Sequence, residues 1–88
     1  MITKTINPGI FEIDVTVKEI VLGNTMIDKI IGWDQIEVTT LKLRCYDCTV
    51  MVFKSDMKLF NGVSEGYRFK AVVKEWKENI YNFKKIVD

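Results

Sequence analysis

The chain has no histidine, one proline and two cysteines among its 88 residues. Without histidine it lacks the side chain best matched to proton transfer near neutral pH. It has no glycine-rich phosphate loop. The acids Asp14, Glu19, Asp28, Asp34 and Glu37 are scattered, without the spacing of paired carboxylates or a metal site. The expectation is therefore a protein that is not an enzyme, with no catalytic residues. Zinc needs four ligands, and one cysteine pair cannot supply them. The alternative left open is a site shared by two copies; otherwise neither a metal nor a small-molecule cofactor is expected. Apolar runs last only a few residues, too short for a membrane-spanning helix, so no membrane partner is expected. The opening MITKTINPGIFEID lacks the positive-then-apolar pattern of a secretory signal. Two cysteines fit a reducing compartment better than a disulfide framework. Together these features point to the cytoplasm.

Charge of one sign is also scarce overall, at net +1, but it is unevenly spread. Residues 1–40 hold three Lys/Arg against six Asp/Glu, hence −3. Residues 41–65 hold four against three, hence +1, and residues 66–88 hold six against three, hence +3. A cationic C-terminal third fits an anionic partner or a plain solvated face.

Hydrophobic residues make up 48% of the chain, enough for one small core and a single domain over residues 1–88. The clearest pattern is Gly66–Val87. Tyr67, Phe69, Ala71 and Val73 alternate with Arg68, Lys70, Val72, Lys74 and Trp76. That period of two marks a half-buried strand. Lys77-Glu78-Asn79 makes a turn, and Ile80–Val87 returns with Tyr81 and Phe83 alternating. Tyr67, Phe69, Tyr81 and Phe83 are assigned to the core.

Upstream, Met1–Asn7 reads as a loose lead-in and Pro8-Gly9 as a turn. Ile10–Leu22 is a long strand with Phe11, Ile13, Val15 and Val17 on one face. Its Val15–Ile20 segment echoes Ala71–Trp76, as two strands in similar surroundings do. Thr25-Met26-Ile27-Asp28 has the form of a helix capping box, with Gly32 as a stop; an extended loop or short hairpin is the alternative.

Gln35–Phe53 reads as a hairpin around Tyr46-Asp47. That register pairs Cys45 with Cys48, Arg44 with Thr49, Leu43 with Val50, Lys42 with Met51, Leu41 with Val52 and Thr40 with Phe53. One face is then wholly apolar, and the other carries Thr40, Lys42, Arg44, Thr49, Met51 and Phe53. A slip of one residue mixes the two faces. Ser55–Gly62 follows as one helical turn, with Ser55 as its cap.

The order is strand, loop, strand, strand, short helix, strand, strand. With Phe11–Val21, Leu41–Phe53 and Gly66–Val87 as its strands, the chain resembles the small OB-fold nucleic-acid-binding proteins. These are the barrels of single-strand binding proteins and replication protein A. The fold expected is all-β, a five-stranded OB-fold-like barrel with a helical turn between strands three and four; an SH3-like small barrel is the alternative. The resemblance implies ligand binding on strands two and three, between two flanking loops. Trp33 falls at one loop and Trp76 at the other. The implied contacts are Trp33, Lys42, Arg44, Tyr46, Phe53, Arg68, Lys70, Trp76 and Lys77. Aromatics there stack on bases and cations meet phosphates, so single-stranded DNA or RNA is the expected partner. The competing expectation is a protein-interaction module using an exposed Met51/Phe53 patch. That module serves as an accessory subunit of a replication or repair enzyme, or as an inhibitor from a phage or mobile element. Trp33, Trp76 and Phe53 can instead be core.

Cys45-Tyr46-Asp47-Cys48 has C-x-x-C spacing, but on a hairpin and not at a helix N-terminus. Two buried thiols are expected, with a cross-strand disulfide as the oxidised alternative.

Overall fold

The computed structural model describes residues 2–28 and 35–87, with side chains over 2–24 and 38–87. Six strands form in chain order: β1 Ile2–Asn7, β2 Ile10–Asp28, β3 Gln35–Cys45, β4 Thr49–Phe53, β5 Arg68–Lys77 and β6 Ile80–Ile86. A 3-10 helix, Lys54–Phe60, joins β4 to β5. The strand order is β1-β2-β3-β4-β6-β5, and β5 pairs back onto β2. Strands β2 to β6 thus close a five-stranded barrel of the OB-like kind, with β1 as an extra strand outside it. Closure leaves the barrel strands few free edges. The β4–β6 pair is parallel, whereas β2–β3, β3–β4, β2–β5 and β5–β6 are antiparallel. Among the described residues no helix is long and apolar enough to cross a membrane.

One strand serves two edges of this barrel. Ile10–Thr16 of β2 pairs with β5, and Val17–Asp28 pairs with β3. The change of partner coincides with a bulge at Lys18: Val17 pairs with Cys45, but Glu19 with Arg44. A bulge bends a strand and shifts its facing by one residue. Ile13, Val15 and Val17 point inward before it; Ile20 packs on the core after it.

The β3–β4 register matches the expected pairing, from Thr40 opposite Phe53 to Arg44 opposite Thr49. Leu43, Val50, Val52 and both cysteines join the buried core with Phe69, Ala71, Val73, Tyr81 and Phe83. Phe60 sits at 4% exposure from the end of the 3-10 helix. Its ring meets Phe69 and Phe83 edge-on, at 5.4 and 5.1 Å between centroids. The short helix therefore contributes an aromatic plug to the barrel.

Several local expectations are corrected. The lead-in is a strand: Ile2–Asn7 pairs antiparallel with β2 through the Pro8-Gly9 turn. Thr25–Asp28 is extended and not helical, because it continues the ladder with Gln35–Val38. Cross-strand hydrogen bonds outweigh a weak capping signal there. The rest of that segment, including Gly32 and Trp33, lies outside the described residues. Ser55 does not cap the helix; Phe53 holds the cap position without a side-chain bond. Tyr67 is 41% exposed, before β5 begins, and lies stacked against Phe69 at 6.0 Å. The β5–β6 turn narrows to Glu78-Asn79, with Asn79 at φ 61°. Asparagine tolerates that left-handed backbone better than most residues.

On the outer surface, Arg68 donates two 2.8 Å hydrogen bonds to the Asp14 carboxylate, clamping the β2–β5 seam. These bonds, opposed by partial desolvation and aided by the charges of Arg68 and Lys70, hold the Asp14 carboxyl below its ordinary range. A carboxyl depressed on folding adds stability above its unfolded pKa of about 3.9, and that stability is lost as pH falls through the folded value. Arg68→Gln is expected to return the Asp14 titration, followed by carboxyl NMR, toward the ordinary range. An unchanged midpoint would show that the clamp does not act on the carboxyl.

Candidate functional site

A groove of about 600 Å³ runs across the outer face of β3 and β4. It is lined by Val21, Asn24, Lys42, Arg44, Thr49, Met51, Trp76 and Ile80. Two bulges build its walls. The bulge at Lys18 turns Val21 and Glu19 outward. The second is at Trp76: Glu75 pairs with Tyr81 and Lys77 with Ile80, so Trp76 has no partner in that ladder. Bulges of this kind re-aim a side chain, and here the indole is brought to the groove, 48% exposed. The Thr49 amide donates to the Asn79 carbonyl at 2.9 Å, tying the β5–β6 turn to the start of β4.

The electrostatics of the groove are mixed. Lys42 is half-buried and Arg44 exposed. Arg44 reaches the Glu19 carboxylate at 3.2 Å, so its charge is partly answered across the β2–β3 ladder. The Lys77 ammonium lies over the Trp76 ring, 4.8 Å from its centroid. Such cation–π contacts are modest at exposed sites, on the order of 0.5–1 kcal/mol. They leave both groups available to a ligand. The floor is apolar at Met51, between Lys42 on β3 and Asn82 on β6.

Of the contacts expected, Lys42, Arg44 and Trp76 meet in this groove, with Lys77 on the indole. Tyr46 stands apart at the hairpin tip, 70% exposed, with Lys18 Nζ 5.9 Å from its ring. Phe53 is half-buried at the far end of β4 and is not part of the lining. Arg68 and Lys70 project from the part of β5 that pairs with β2, away from the groove lining. Trp33 lies outside the described residues.

The exposed Met51/Phe53 patch is not present. Met51 is 3% exposed and Phe53 is half-buried. The reason is topological: β4 is flanked by β6 as well as β3, a neighbour that the hairpin pattern does not contain. Val21 and Ile80 were not expected in the site. Uniform alternation along β2 hides Val21, and only the bulge reveals it.

Cys45 and Cys48 are free thiols, 8% and 6% exposed. The Cys45 amide donates to the Cys48 carbonyl at 2.8 Å across the hairpin mouth. The hydrogen bond with Cys48, then burial, pushes the Cys45 thiol far above its ordinary range. A protonated, buried thiol is a poor nucleophile. Labelling of Cys45 by iodoacetamide at pH 7.5, roughly one unit below an ordinary thiol pKa, should be at least ~10-fold slower in native than in urea-unfolded protein. Equal rates would mean the hairpin mouth opens freely.

Comparison with protein-family models, with curated proteins and with solved structures gives no match. The class stands on topology alone: an all-β, OB-fold-like small barrel with a groove on the face of its second and third strands.

Proposed function

We propose that this protein is a single-stranded nucleic-acid-binding module serving DNA replication or repair, and that the groove on β3 and β4 holds the strand. One observation carries the reading: a bulge delivers the half-exposed Trp76 indole into a groove walled by Lys42 and Arg44. A flat indole stacks on any base, and the two cations meet phosphates. The mixture suits single strands, whose bases are free to stack. Two unpaired thiols suit the reducing cytoplasm in which such a module works. The protein-interaction reading loses one of its motives, the exposed patch, since Met51 is the buried groove floor; small size and near-neutral charge remain behind it.

The test is tryptophan fluorescence titrated with oligo-dT at low and moderate salt. Saturable quenching that weakens with salt is the expected result. No change at low salt would overturn the reading and direct attention to a protein partner.

A further inference from the structure

A second cationic surface lies beside the groove. Lys70 and Lys74 project from the outer face of β5, and Lys84 and Lys85 stand on neighbouring β6, all four exposed. Lys85 is opposite Val72, and Lys84 occupies a bulge beside it. The ion pairs found among the described residues are Arg44–Glu19 and Arg68–Asp14, and neither involves these lysines. The acids facing this surface from β2 are already engaged. Asp14, opposite Lys70, is held by both hydrogen bonds of Arg68. Glu12, opposite Val72, accepts from the Thr3 hydroxyl at 3.2 Å. The surface is therefore net positive; Lys70 also acts on the Asp14 carboxylate opposite it, and Lys74, Lys84 and Lys85 take part in neither ion pair.

It is also continuous with the groove. Strand β6 lies between β4 and β5. Met51 on the groove floor is opposite Asn82, and Asn82 is opposite Lys74. The crossing is thus three strand spacings, from Lys42 on β3 to Lys74 on β5, about 14 Å. Asn82 Oδ1 at this crossing is buried without a hydrogen-bond partner among the described residues. A polar atom left unsatisfied calls for an explanation, and a donor arriving with a bound strand, or Lys74 drawn inward by it, supplies one.

We infer that Lys70, Lys74, Lys84 and Lys85 form a second phosphate-binding surface that takes the strand as it leaves the groove over β6. The inference rests on the groove reading and extends it: the footprint wraps around the barrel instead of ending at Trp76. Lysines that meet phosphates carry no base information, so this surface adds affinity and salt dependence without base preference. Trp76 stands between the two surfaces, where it can report on both.

The experiment compares 4-mer and 16-mer oligo-dT, spanning the ~4–16 nucleotide range of OB-fold sites. Wild type is measured against Lys70→Gln/Lys74→Gln/Lys84→Gln/Lys85→Gln. These exposed positions tolerate substitution, and circular dichroism verifies the fold. Wild type should bind the 16-mer more tightly than the 4-mer. The variant should lose far more affinity for the 16-mer than for the 4-mer. Its log–log salt slope on the 16-mer should fall by about 3, at ~0.7 per phosphate no longer neutralised. A variant that keeps the wild-type preference for the 16-mer and the wild-type slope overturns the second surface while leaving the groove intact. An equal weakening on both lengths also overturns it, since the lysines then act within the groove's own footprint. If wild type binds neither length at low salt, the groove reading itself fails, which the variant's behaviour cannot mimic.

Discussion

Phe60→Ala is expected to cost about 3–5 kcal/mol of folding stability, the usual range for removing a buried phenylalanine. Phe60 is 4% exposed and packs edge-on against Phe69 and Phe83, one from each strand of the β5–β6 hairpin. Edge-on pairs add about 0.5–1.5 kcal/mol beyond burial. A domain of this size has about 4–13 kcal/mol in total, so the loss takes a large share of it. The 3-10 helix has weak hydrogen bonds of its own and no side-chain cap. Its position therefore depends on the plug, and removing the plug should loosen the β4–β5 connection as well. Urea unfolding followed by tryptophan fluorescence measures the effect. The neighbouring Leu59→Ala, at 52% exposure, provides the contrast and should stay within about 0.5 kcal/mol. A Phe60→Ala loss below about 1 kcal/mol would mean that the barrel closes without its plug.

Residues with regular alternation told the most. The hairpin pairing from Thr40–Phe53 to Arg44–Thr49 was legible because only one register separates polar from apolar faces. The same logic placed Phe69, Ala71, Val73, Tyr81 and Phe83 inside. Alternation failed wherever the chain departs from it. The bulge at Lys18 reverses the facing of everything after it, which concealed Val21. Ile2–Asn7 has little apolar content to mark it, and it pairs with β2 through backbone bonds that leave no trace in composition. Met51 was misplaced for another reason. A hairpin pattern describes two strands, and the burial of Met51 depends on a third, β6, arriving in parallel from more than twenty residues away. The place of Trp76 beside the groove was legible from the implied loop position alone; its bulge was not.

The largest functional effect is expected from the groove. Lys42→Glu combined with Arg44→Glu should reduce the log–log salt slope of oligo-dT binding by about 1.4, at ~0.7 for each phosphate left without its cation. Affinity should fall by more than neutralisation alone produces, because both walls then repel the strand. Trp76→Ala removes a stack worth about 1–3 kcal/mol, or roughly 5–150-fold, while leaving the salt slope near its wild-type value. The two variants thus separate charge from stacking. Glu19→Gln should act in the opposite direction. It frees Arg44 from its 3.2 Å partner, so binding should tighten and the slope should steepen. None of these changes touches the core, and a surface pair such as Arg44–Glu19 contributes at most about 1 kcal/mol to stability. Weakened binding would therefore not report unfolding. A fluorescently labelled oligonucleotide followed by anisotropy serves all three variants, including the one without its indole. Wild-type affinity in the Lys42→Glu/Arg44→Glu protein would remove these walls from the site. Wild-type affinity in Trp76→Ala would mean that the bulge presents the ring to something other than a base.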